Sequence, residues 1–251
     1  MGFSIVIPAR HGSSRLPGKP LHIIGSKTLI QHVYECAQKS DAAEIIIATD
    51  DERIEVEALS FSANVIMTSA DHGTGTDRLA EVIAKKEYSD DHVIVNLQGD
   101  EPLMPASVIN QVAENLQNNI AASSATVCTR INTVDELFDP NVVKVVTDKN
   151  GFALYFSRAS IPWDRDHFPN HSVLPENAEH YRHIGLYAYR AGFLKQFVQW
   201  PVCHHEKVES LEQLRSLWNG EKIHVDVAKE IPGPGIDTPE DLRNVRKMFE
   251  D

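Results

Sequence analysis

The first half of the chain alternates apolar segments with amphipathic ones, and this alternation constrains the fold more than any other feature. Four segments have the length and composition of buried strands: 3–7, 44–49, 64–68 and 93–97. Three further segments repeat apolar residues at helical spacing: 28–39, 76–86 and 105–116. Strands and helices in repetition predict an α/β fold with a mostly parallel, twisted sheet and helices on both faces.

The second half follows a different pattern. Segments 142–147 and 152–156 flank Asp148-Lys149-Asn150-Gly151, a turn sequence that predicts a hairpin and a small mixed β excursion. Five further elements are predicted after it: a strand at 184–189, helices at 192–199 and 206–218, a strand at 223–227 and a last helix at 238–249. The polar stretch 163–181 is too long for a simple connection, so a functional excursion or an interface arm is expected there.

Composition and charge exclude several classes of function. The chain has 36 acidic and 24 basic residues, and a net charge of −12 argues against a general nucleic-acid binder. No apolar run approaches the roughly 18 residues that span a bilayer, so membrane insertion is not expected. Cys36, Cys128 and Cys203 are far apart and odd in number, which favours free thiols over a disulfide framework. Together with the absence of a signal-peptide pattern at the first strand, this predicts a cytoplasmic protein.

The loop after the first predicted strand carries the strongest chemical signal. It places Arg10, Arg15 and Lys19 within ten positions, among small residues such as Ser13. A loop at the carboxyl edge of a parallel sheet is where α/β proteins bind ligands, and arginine and lysine both bind phosphate. The loop matches neither the P-loop nor the dinucleotide-binding glycine pattern. It is therefore interpreted as a phosphate-binding loop, with a solvated basic loop as the alternative.

Eight short motifs occur in a fixed order along the chain. They are 8–19 (PARHGSSRLPGK), 48–50 (ATD), 75–78 (GTDR), 97–102 (LQGDEP), 155–158 (YFSR), 182–187 (RHIGLY), 209–215 (ESLEQLR) and 235–242 (GIDTPEDL). In this order they resemble the motifs of CMP-Kdo synthetases, the cytidylyltransferases of 3-deoxy-manno-octulosonate (Kdo). The resemblance covers essentially the whole chain. It implies one nucleotidyltransferase domain over 1–251, with a fold similar to nucleotide-diphospho-sugar transferases.

The resemblance also implies a set of CTP-binding residues. Arg10, Ser13, Arg15 and Lys19 would hold the phosphates, and Arg15 and Lys19 would act in catalysis. Arg78 would help to close the nucleotide pocket. The alternative for Arg78 is an exposed side chain in the first turn of a helix, which is where most arginines lie.

Two aspartates are implied as ligands of a Mg²⁺ cofactor. Asp100 follows the strand at 93–97, and Asp237 lies in the loop before the last helix. Each has an ordinary local explanation, as a turn residue or a helix cap. By the resemblance both bind Mg²⁺ and take part in catalysis, since this ion prefers one or two carboxylates together with phosphate oxygens.

For the acid sugar, the resemblance implies six residues: Gln98, Arg158, His183, Tyr187, Glu212 and Gln213. Arg158 would pair with the carboxylate of Kdo, and the others would bind its hydroxyl groups. The alternatives are ordinary strand positions for His183 and Tyr187, and solvent-exposed helix positions for Glu212 and Gln213. The family is commonly homodimeric, so residues 157–190 are expected to contribute to sugar binding and to the dimer interface.

The expected reaction is attack of the C2 hydroxyl of Kdo on the α-phosphorus of CTP, which gives CMP-Kdo and pyrophosphate for lipopolysaccharide synthesis. Two alternatives remain open. One is transfer to the 8-amino analogue of Kdo, or to another acid sugar such as sialic acid. The other is a nucleotide-binding module without turnover, since a fold alone does not fix a function.

Overall fold

The computed structural model of the chain describes residues 2–13, 15–169, 173–175 and 178–249. The strands within these ranges are β1 Phe3–Ala9, β2 Ile23–Ile24, β3 Lys27–Thr28, β4 Glu44–Thr49, β5 Asn64–Met67, β6 Val93–Asn96, β7 Ser124–Arg130, β8 Lys144–Thr147, β9 Ala153–Ser157, β10 Tyr181–Arg190 and β11 Ile223–Val227. The helices are α1 Leu29–Ala37, α2 Glu52–Ser60, α3 Gly75–Lys86, α4 Ala106–Asn118, α5 Val134–Phe138, α6 Ala191–Phe197, α7 His204–Glu209, α8 Leu214–Trp218 and α9 Pro239–Met248, with a short 3-10 helix at Lys19–Leu21.

A nine-stranded sheet organises the described chain, with seven strands in the order β11-β7-β10-β6-β1-β4-β5. The pairs β1–β4, β1–β6, β4–β5 and β7–β11 are parallel. Strand β10 runs antiparallel between β6 and β7. The sheet is therefore mostly parallel, as predicted, and its carboxyl edge collects the loops that follow β1, β4 and β6.

Helices cover both faces of the sheet, because successive side chains of a strand point to opposite faces. Ile5 and Ile7 of β1 pack into the larger core cluster with residues of α1, α2, α4 and α9. Val6, between them, packs into a second cluster with residues of α3 and α6. All three side chains are fully buried. The predicted arrangement of helices on both faces is confirmed.

The predicted hairpin is also confirmed. Strands β8 and β9 pair antiparallel, and β8 pairs with β10 at the sheet's margin. The turn between them contains Gly151 with a positive φ of 81°, a conformation that glycine adopts without strain. In the stretch 163–181, Phe168 packs into a small separate core with Ile131, Leu137 and Val142. Residues 170–172 and 176–177 of this stretch lie outside the described residues.

One local prediction is wrong, and one strand was not predicted. The helix predicted at 206–218 is instead two short helices, α7 and α8, because Ser210 adopts a left-handed conformation with φ 52° and ends α7. Strand β7, which received no prediction, pairs with both β10 and β11 and is the second strand from one end of the order given above. None of the helices in the described ranges is long and apolar enough to cross a membrane.

Candidate active site

Two adjoining cavities lie at the carboxyl ends of β1 and β6. The first, here called the charged cavity, has a volume of about 270 Å³, and its lining includes Arg10, Ser13, Arg15, Lys19, Asp100 and Asp237. The second, here called the tyrosine cavity, has a volume of about 130 Å³, and its lining includes Asn96, Tyr187, Tyr189, Glu212 and Gln213. Gly75 and Gln98 line both cavities. A ligand in one cavity would therefore lie next to a ligand in the other, on either side of Gly75 and Gln98.

Lys19 joins the two aspartates of the charged cavity. Its Nζ donates hydrogen bonds to Asp100 Oδ2 at 2.7 Å and to Asp237 Oδ1 at 2.9 Å. Arg15 adds a second cation, since its guanidinium lies 3.1 Å from Asp237 Oδ2. Asp100 follows β6 and Asp237 precedes α9, so these carboxylates come from distant parts of the sequence. The fold brings them close enough for one ammonium group to bond both.

The charges of this cluster shift the pKa of Lys19 and of the neighbouring Glu101. Burial of Lys19 would lower its pKa, but the contacts with Asp100 and Asp237 outweigh burial and raise it, so the ammonium stays charged. Burial, together with the negative charges of Asp100 and Asp237, raises the pKa of Glu101 to about 7. Three carboxyl groups therefore lie close together here, and Lys19 and Arg15 balance the charges of Asp100 and Asp237.

The donor set of the cluster fits a Mg²⁺ ion. Asp100 and Asp237 offer carboxylate oxygens to one point, and Mg²⁺ prefers one or two carboxylates supplemented by waters and phosphate oxygens. Within the described ranges, no group of three or more His, Cys, Asp or Glu side chains has the spacing of a metal site. An ion held here would therefore need further oxygens from a bound ligand or from solvent.

The loop after β6 closely approaches the last residues of β1 beside this cluster. A Cβ added at Gly99 would lie 2.9 Å from the carbonyl oxygen of Pro8. Only glycine allows the two backbones to come so near. Because of this approach, Arg10 and Ser13 of the first loop face the same cavity as Gln98 and Asp100 of the second.

Arg78 lies at the start of α3 and is almost fully buried, with 3% of its surface exposed. Its guanidinium lies 3.2 Å from Asp50 Oδ2 and donates a hydrogen bond to Thr68 Oγ1. A capping box between Thr74 and Asp77 fixes the first turn of the helix that carries it. The alternative of an exposed arginine is therefore wrong, and Arg78 forms part of the charged cavity's wall.

The tyrosine cavity combines residues of three elements. Tyr187 comes from β10, and Glu212 and Gln213 come from the turn between α7 and α8. Thr76 of α3 donates a hydrogen bond to Glu212 Oε2 at 2.6 Å, which links the turn to the wall shared by both cavities. Burial raises the pKa of Glu212. Burial and the nearby Glu212 carboxylate raise the pKa of Tyr187, so its hydroxyl keeps its proton and can donate a hydrogen bond.

Comparison with known proteins assigns this site to a family. The family model "Cytidylyltransferase" matches residues 4–223. The 3-deoxy-manno-octulosonate cytidylyltransferase of Histophilus somni strain 2336 is 54% identical, over 99% of both chains. That of Vibrio vulnificus strain YJ016 is 57% identical, over 99% of this chain and 98% of the relative. The chain belongs to the 3-deoxy-manno-octulosonate cytidylyltransferase family.

A solved structure agrees with this assignment. It is that of a CMP:2-keto-3-deoxy-manno-octonic acid synthetase complexed with CTP. It superimposes on this chain with a TM-score of 0.90 at 43% sequence identity, and the match covers 100% of this chain and 99% of the other. The resemblance seen in the eight sequence motifs is therefore confirmed for the family.

Two of the expected sugar-binding residues lie outside both cavity linings. The guanidinium of Arg158 donates two hydrogen bonds to backbone carbonyl groups: Nε donates to Glu209 at 2.6 Å, and Nη1 donates to Pro140 at 2.9 Å. His183 lies 3.1 Å from Thr126 Oγ1, and its ring packs 5.3 Å from that of Tyr187. Burial lowers the pKa of His183 to about 3, so the imidazole is neutral at physiological pH.

The sequence did not point to several other residues of the two linings. His72 lines the charged cavity and lies 2.5 Å from Glu81 Oε2, and Asn96 and Tyr189 line the tyrosine cavity. His72 belongs to no motif, so no sequence signal marked it. Asn96 directly precedes the LQGDEP motif, in a strand of otherwise apolar residues, and this polar interruption was an available signal.

Proposed function

We propose that the protein transfers CMP from CTP to the anomeric hydroxyl of Kdo and releases pyrophosphate. The observation that carries this proposal is the shared wall of the two cavities at Gly75 and Gln98. At this wall the charged cavity, whose arginine and lysine side chains suit a triphosphate, adjoins a cavity lined by hydroxyl, amide and carboxyl groups that suit a sugar. Relatives at 54–57% identity that are named for this reaction support the same assignment.

In the proposed mechanism, the loop after β1 binds the triphosphate. Arg10, Arg15 and Lys19 lie on one side of the charged cavity, and their positive charge opposes the charge that builds on the departing pyrophosphate. Ser13 contributes a hydroxyl, and the ion pair with Asp50 holds Arg78 in place in the wall of the same cavity. Lys19 and Arg15 currently bond carboxylates, so binding of CTP exchanges these partners for phosphate oxygens.

Asp100 and Asp237 would hold Mg²⁺ in this mechanism. When bound, the ion supplies Lewis-acid polarisation of phosphate and sugar oxygens. The aspartates themselves keep the cavity negative where the ion binds, and Lys19 neutralises them in the absence of ligands. Positioning and electrostatics then supply most of the catalysis, as in phosphoryl transfer generally.

The sugar would occupy the tyrosine cavity. Gln98, Tyr187, Glu212 and Gln213 line it and offer both donors and acceptors to hydroxyl groups. Arg158 remains our candidate for the sugar carboxylate, and this role requires it to leave its carbonyl partners at Glu209 and Pro140. His183 would act through its packing against the ring of Tyr187.

Pyrophosphate release with a panel of substrates tests the function. We expect release from CTP with Kdo, and little with ATP in place of CTP. The panel includes the 8-amino analogue of Kdo and sialic acid. Faster turnover of either compound would reassign the sugar, equal product from ATP would remove the cytidylyltransferase assignment, and no release with any sugar would indicate a binding module.

We further propose a homodimer that acts in the cytoplasm in lipopolysaccharide synthesis. The segment 157–190, as far as it is described, exposes 54% of Trp163 and 74% of Val173, which suits an interface. Cys36, Cys128 and Cys203 are free, which suits a reducing compartment. Sedimentation should give twice the chain mass of 28.0 kDa. Trp163→Asp should shift the protein towards the monomer, and a wild-type monomer would contradict the dimer.

A further inference from the structure

Three polar side chains of the tyrosine cavity each have a buried atom without a hydrogen bond. Among the described residues, six buried side-chain nitrogen or oxygen atoms have no hydrogen-bond partner, and three of them are Asn96 Oδ1, Tyr187 Oη and Glu212 Oε1. All three residues line this one cavity. Buried polar groups in proteins are almost always hydrogen-bonded, and exceptions call for an explanation. Their convergence indicates that the cavity is built for a ligand with several polar groups.

Asn96 occupies an unusual position for such a residue. It is the last residue of β6, after Val93, Ile94 and Val95, and only 3% of its surface is exposed. Asparagine is depleted in strands, and a buried amide oxygen without a hydrogen bond, such as Asn96 Oδ1, is costly. An apolar residue would suit this position better if folding were the only requirement. The amide is therefore more easily explained by a ligand than by the core.

The sheet fixes the direction of this amide. Asn96 pairs with Val6 of β1 on one side and directly faces Tyr187 of β10 on the other. The register of β10 shifts between Ile184 and Tyr187, and such bulges re-aim side chains beside functional sites. Gly185, within this shift, also lines the cavity. Asn96 and Tyr187 thus form adjacent, rigidly held walls of the same cavity.

The chemistry of the cavity indicates what Asn96 would bind. The described lining contains no lysine or arginine, so this is a poor place for a phosphate or a sugar carboxylate. An amide offers both donor and acceptor, which is what a hydroxyl group requires. We propose that Asn96 is a specificity-determining residue whose side-chain amide hydrogen-bonds a hydroxyl group of the acid sugar. This inference rests on the proposed function and extends it to a residue outside the motifs.

Asn96→Leu is the decisive variant, because leucine has a similar size and leaves no unpaired polar atom. Removal of an unsatisfied buried group is nearly neutral or stabilising for the fold. We expect kcat/KM for Kdo to fall by roughly 10- to 100-fold, whereas KM for CTP stays within about twofold. The melting temperature should stay the same or rise. If Asn96→Leu melts lower than the wild type, Asn96→Val, which suits a strand, is used for the same comparison.

Asn115→Leu provides the matched control. Asn115 lies in α4, its Nδ2 is also buried without a partner, and it lines neither cavity. The same change there should leave kcat/KM for both substrates unchanged. Kdo analogues that each lack one hydroxyl identify the group concerned. With the analogue that lacks the hydroxyl bound by Asn96, the wild type and Asn96→Leu should show equal kcat/KM, because neither enzyme can form this hydrogen bond.

The outcomes separate this inference from the proposed function. If the wild type turns over Kdo and Asn96→Leu does so equally well, the role of Asn96 is wrong and the function stands. A rise in KM for CTP alone would assign Asn96 to the nucleotide and likewise overturn it. Parallel losses in both asparagine variants would indicate a structural effect. A wild type that releases no pyrophosphate with any acid sugar would overturn the function and, with it, the role of Asn96.

Discussion

The charged cavity and the tyrosine cavity handle their polar groups in opposite ways. In the charged cavity, cations are paired with anions of the protein itself: Lys19 with Asp100 and Asp237, Arg15 with Asp237, and Arg78 with Asp50. In the tyrosine cavity, Asn96, Tyr187 and Glu212 each keep a buried polar atom without a hydrogen bond. The first cavity balances charges by ion pairs within the protein, and the second leaves three buried atoms without a hydrogen bond.

The difference follows from the cost of burial. A buried charge without a partner is far more costly than a buried neutral group without a hydrogen bond. Asn96 and Tyr187 are neutral, whereas the Glu212 carboxyl group accepts a hydrogen bond from Thr76 and lies 3.8 Å from the guanidinium of Arg215. A ligand of the charged cavity must therefore exchange existing ion pairs for new ones. A ligand of the tyrosine cavity adds hydrogen bonds where the protein has none. We therefore expect mutations in the charged cavity to lower kcat and change Mg²⁺ affinity, and mutations in the tyrosine cavity to raise KM for Kdo.

The largest effect is expected for the two aspartates of the charged cavity. Asp100→Asn and Asp237→Asn should each lower kcat by at least about 10³-fold, because each removes a carboxylate from the point where both converge. Since the two carboxylates act as one unit, the double variant should be little worse than either single variant. Steady-state kinetics and Mg²⁺ titration in the presence of CTP measure both effects.

Asp90→Asn is a suitable control for the aspartate variants, because Asp90 is an exposed partner of Lys195. It should retain wild-type turnover. Circular dichroism should be native-like for every variant. Losses that multiply in the double variant, or wild-type Mg²⁺ affinity in either single variant, would show that Asp100 and Asp237 do not share an ion.

Lys19→Met tests whether Lys19 exchanges its aspartate partners for the phosphate oxygens of CTP. We expect kcat to fall on the order of 100-fold with the fold intact, because the variant loses a cation that opposes the charge on pyrophosphate. In the absence of CTP, however, the variant should bind Mg²⁺ more tightly than the wild type, since no ammonium competes for Asp100 and Asp237. Isothermal titration measures the affinity.

The control for Lys19→Met is Lys195→Met, which removes an exposed lysine of the pair with Asp90. It should change neither turnover nor Mg²⁺ affinity. Wild-type turnover by Lys19→Met would mean that the loop after β1 does not bind phosphate. Unchanged Mg²⁺ affinity would mean that Lys19 and the ion do not compete.

In the tyrosine cavity, Glu212→Ala should raise KM for Kdo by roughly tenfold and leave KM for CTP nearly unchanged. The reason is that Glu212 lines only this cavity and is held there by Thr76. Kinetics with each substrate varied in turn measure the two constants. Glu114→Ala, which removes an exposed carboxylate that pairs with Lys229, serves as the control. An equal rise in KM for Kdo and for CTP would contradict a role of Glu212 in binding the sugar alone.

The smallest effect concerns stability and pH. Burial lowers the pKa of His183 from 6.5 to about 3. The unfolded chain therefore takes up a proton at this residue below pH 6.5, whereas the folded protein does not do so until about pH 3. Stability falls as the pH decreases through this window. Between pH 7 and 5 the wild type should lose about 2 kcal/mol more than His183→Gln, as measured by urea denaturation. Equal losses would show that His183 is protonated in the folded protein.

Patterns in the sequence alone predicted the α/β fold and the family correctly, and they also led to the hypothesis that the loop after β1 binds phosphate. Each rests on local patterns: apolar strands such as 44–49, helices with one apolar face, and cations close together in 10–19. The end of β4 at Thr49 and the cap of α9 by Thr238 were predictable to the residue. Local patterns suffice for these features because backbone hydrogen bonding and burial of one face are decided within a few residues.

Which residues line the two cavities became known only from the tertiary structure. It brought Asp100 and Asp237 to one ammonium group, broke the predicted helix 206–218 at Ser210, and turned Glu212 towards Thr76. It also placed Asn96 opposite Tyr187, across strands that lie far apart in sequence. These outcomes depend on strand order and on packing between distant segments, and no pattern within a single segment carries that information.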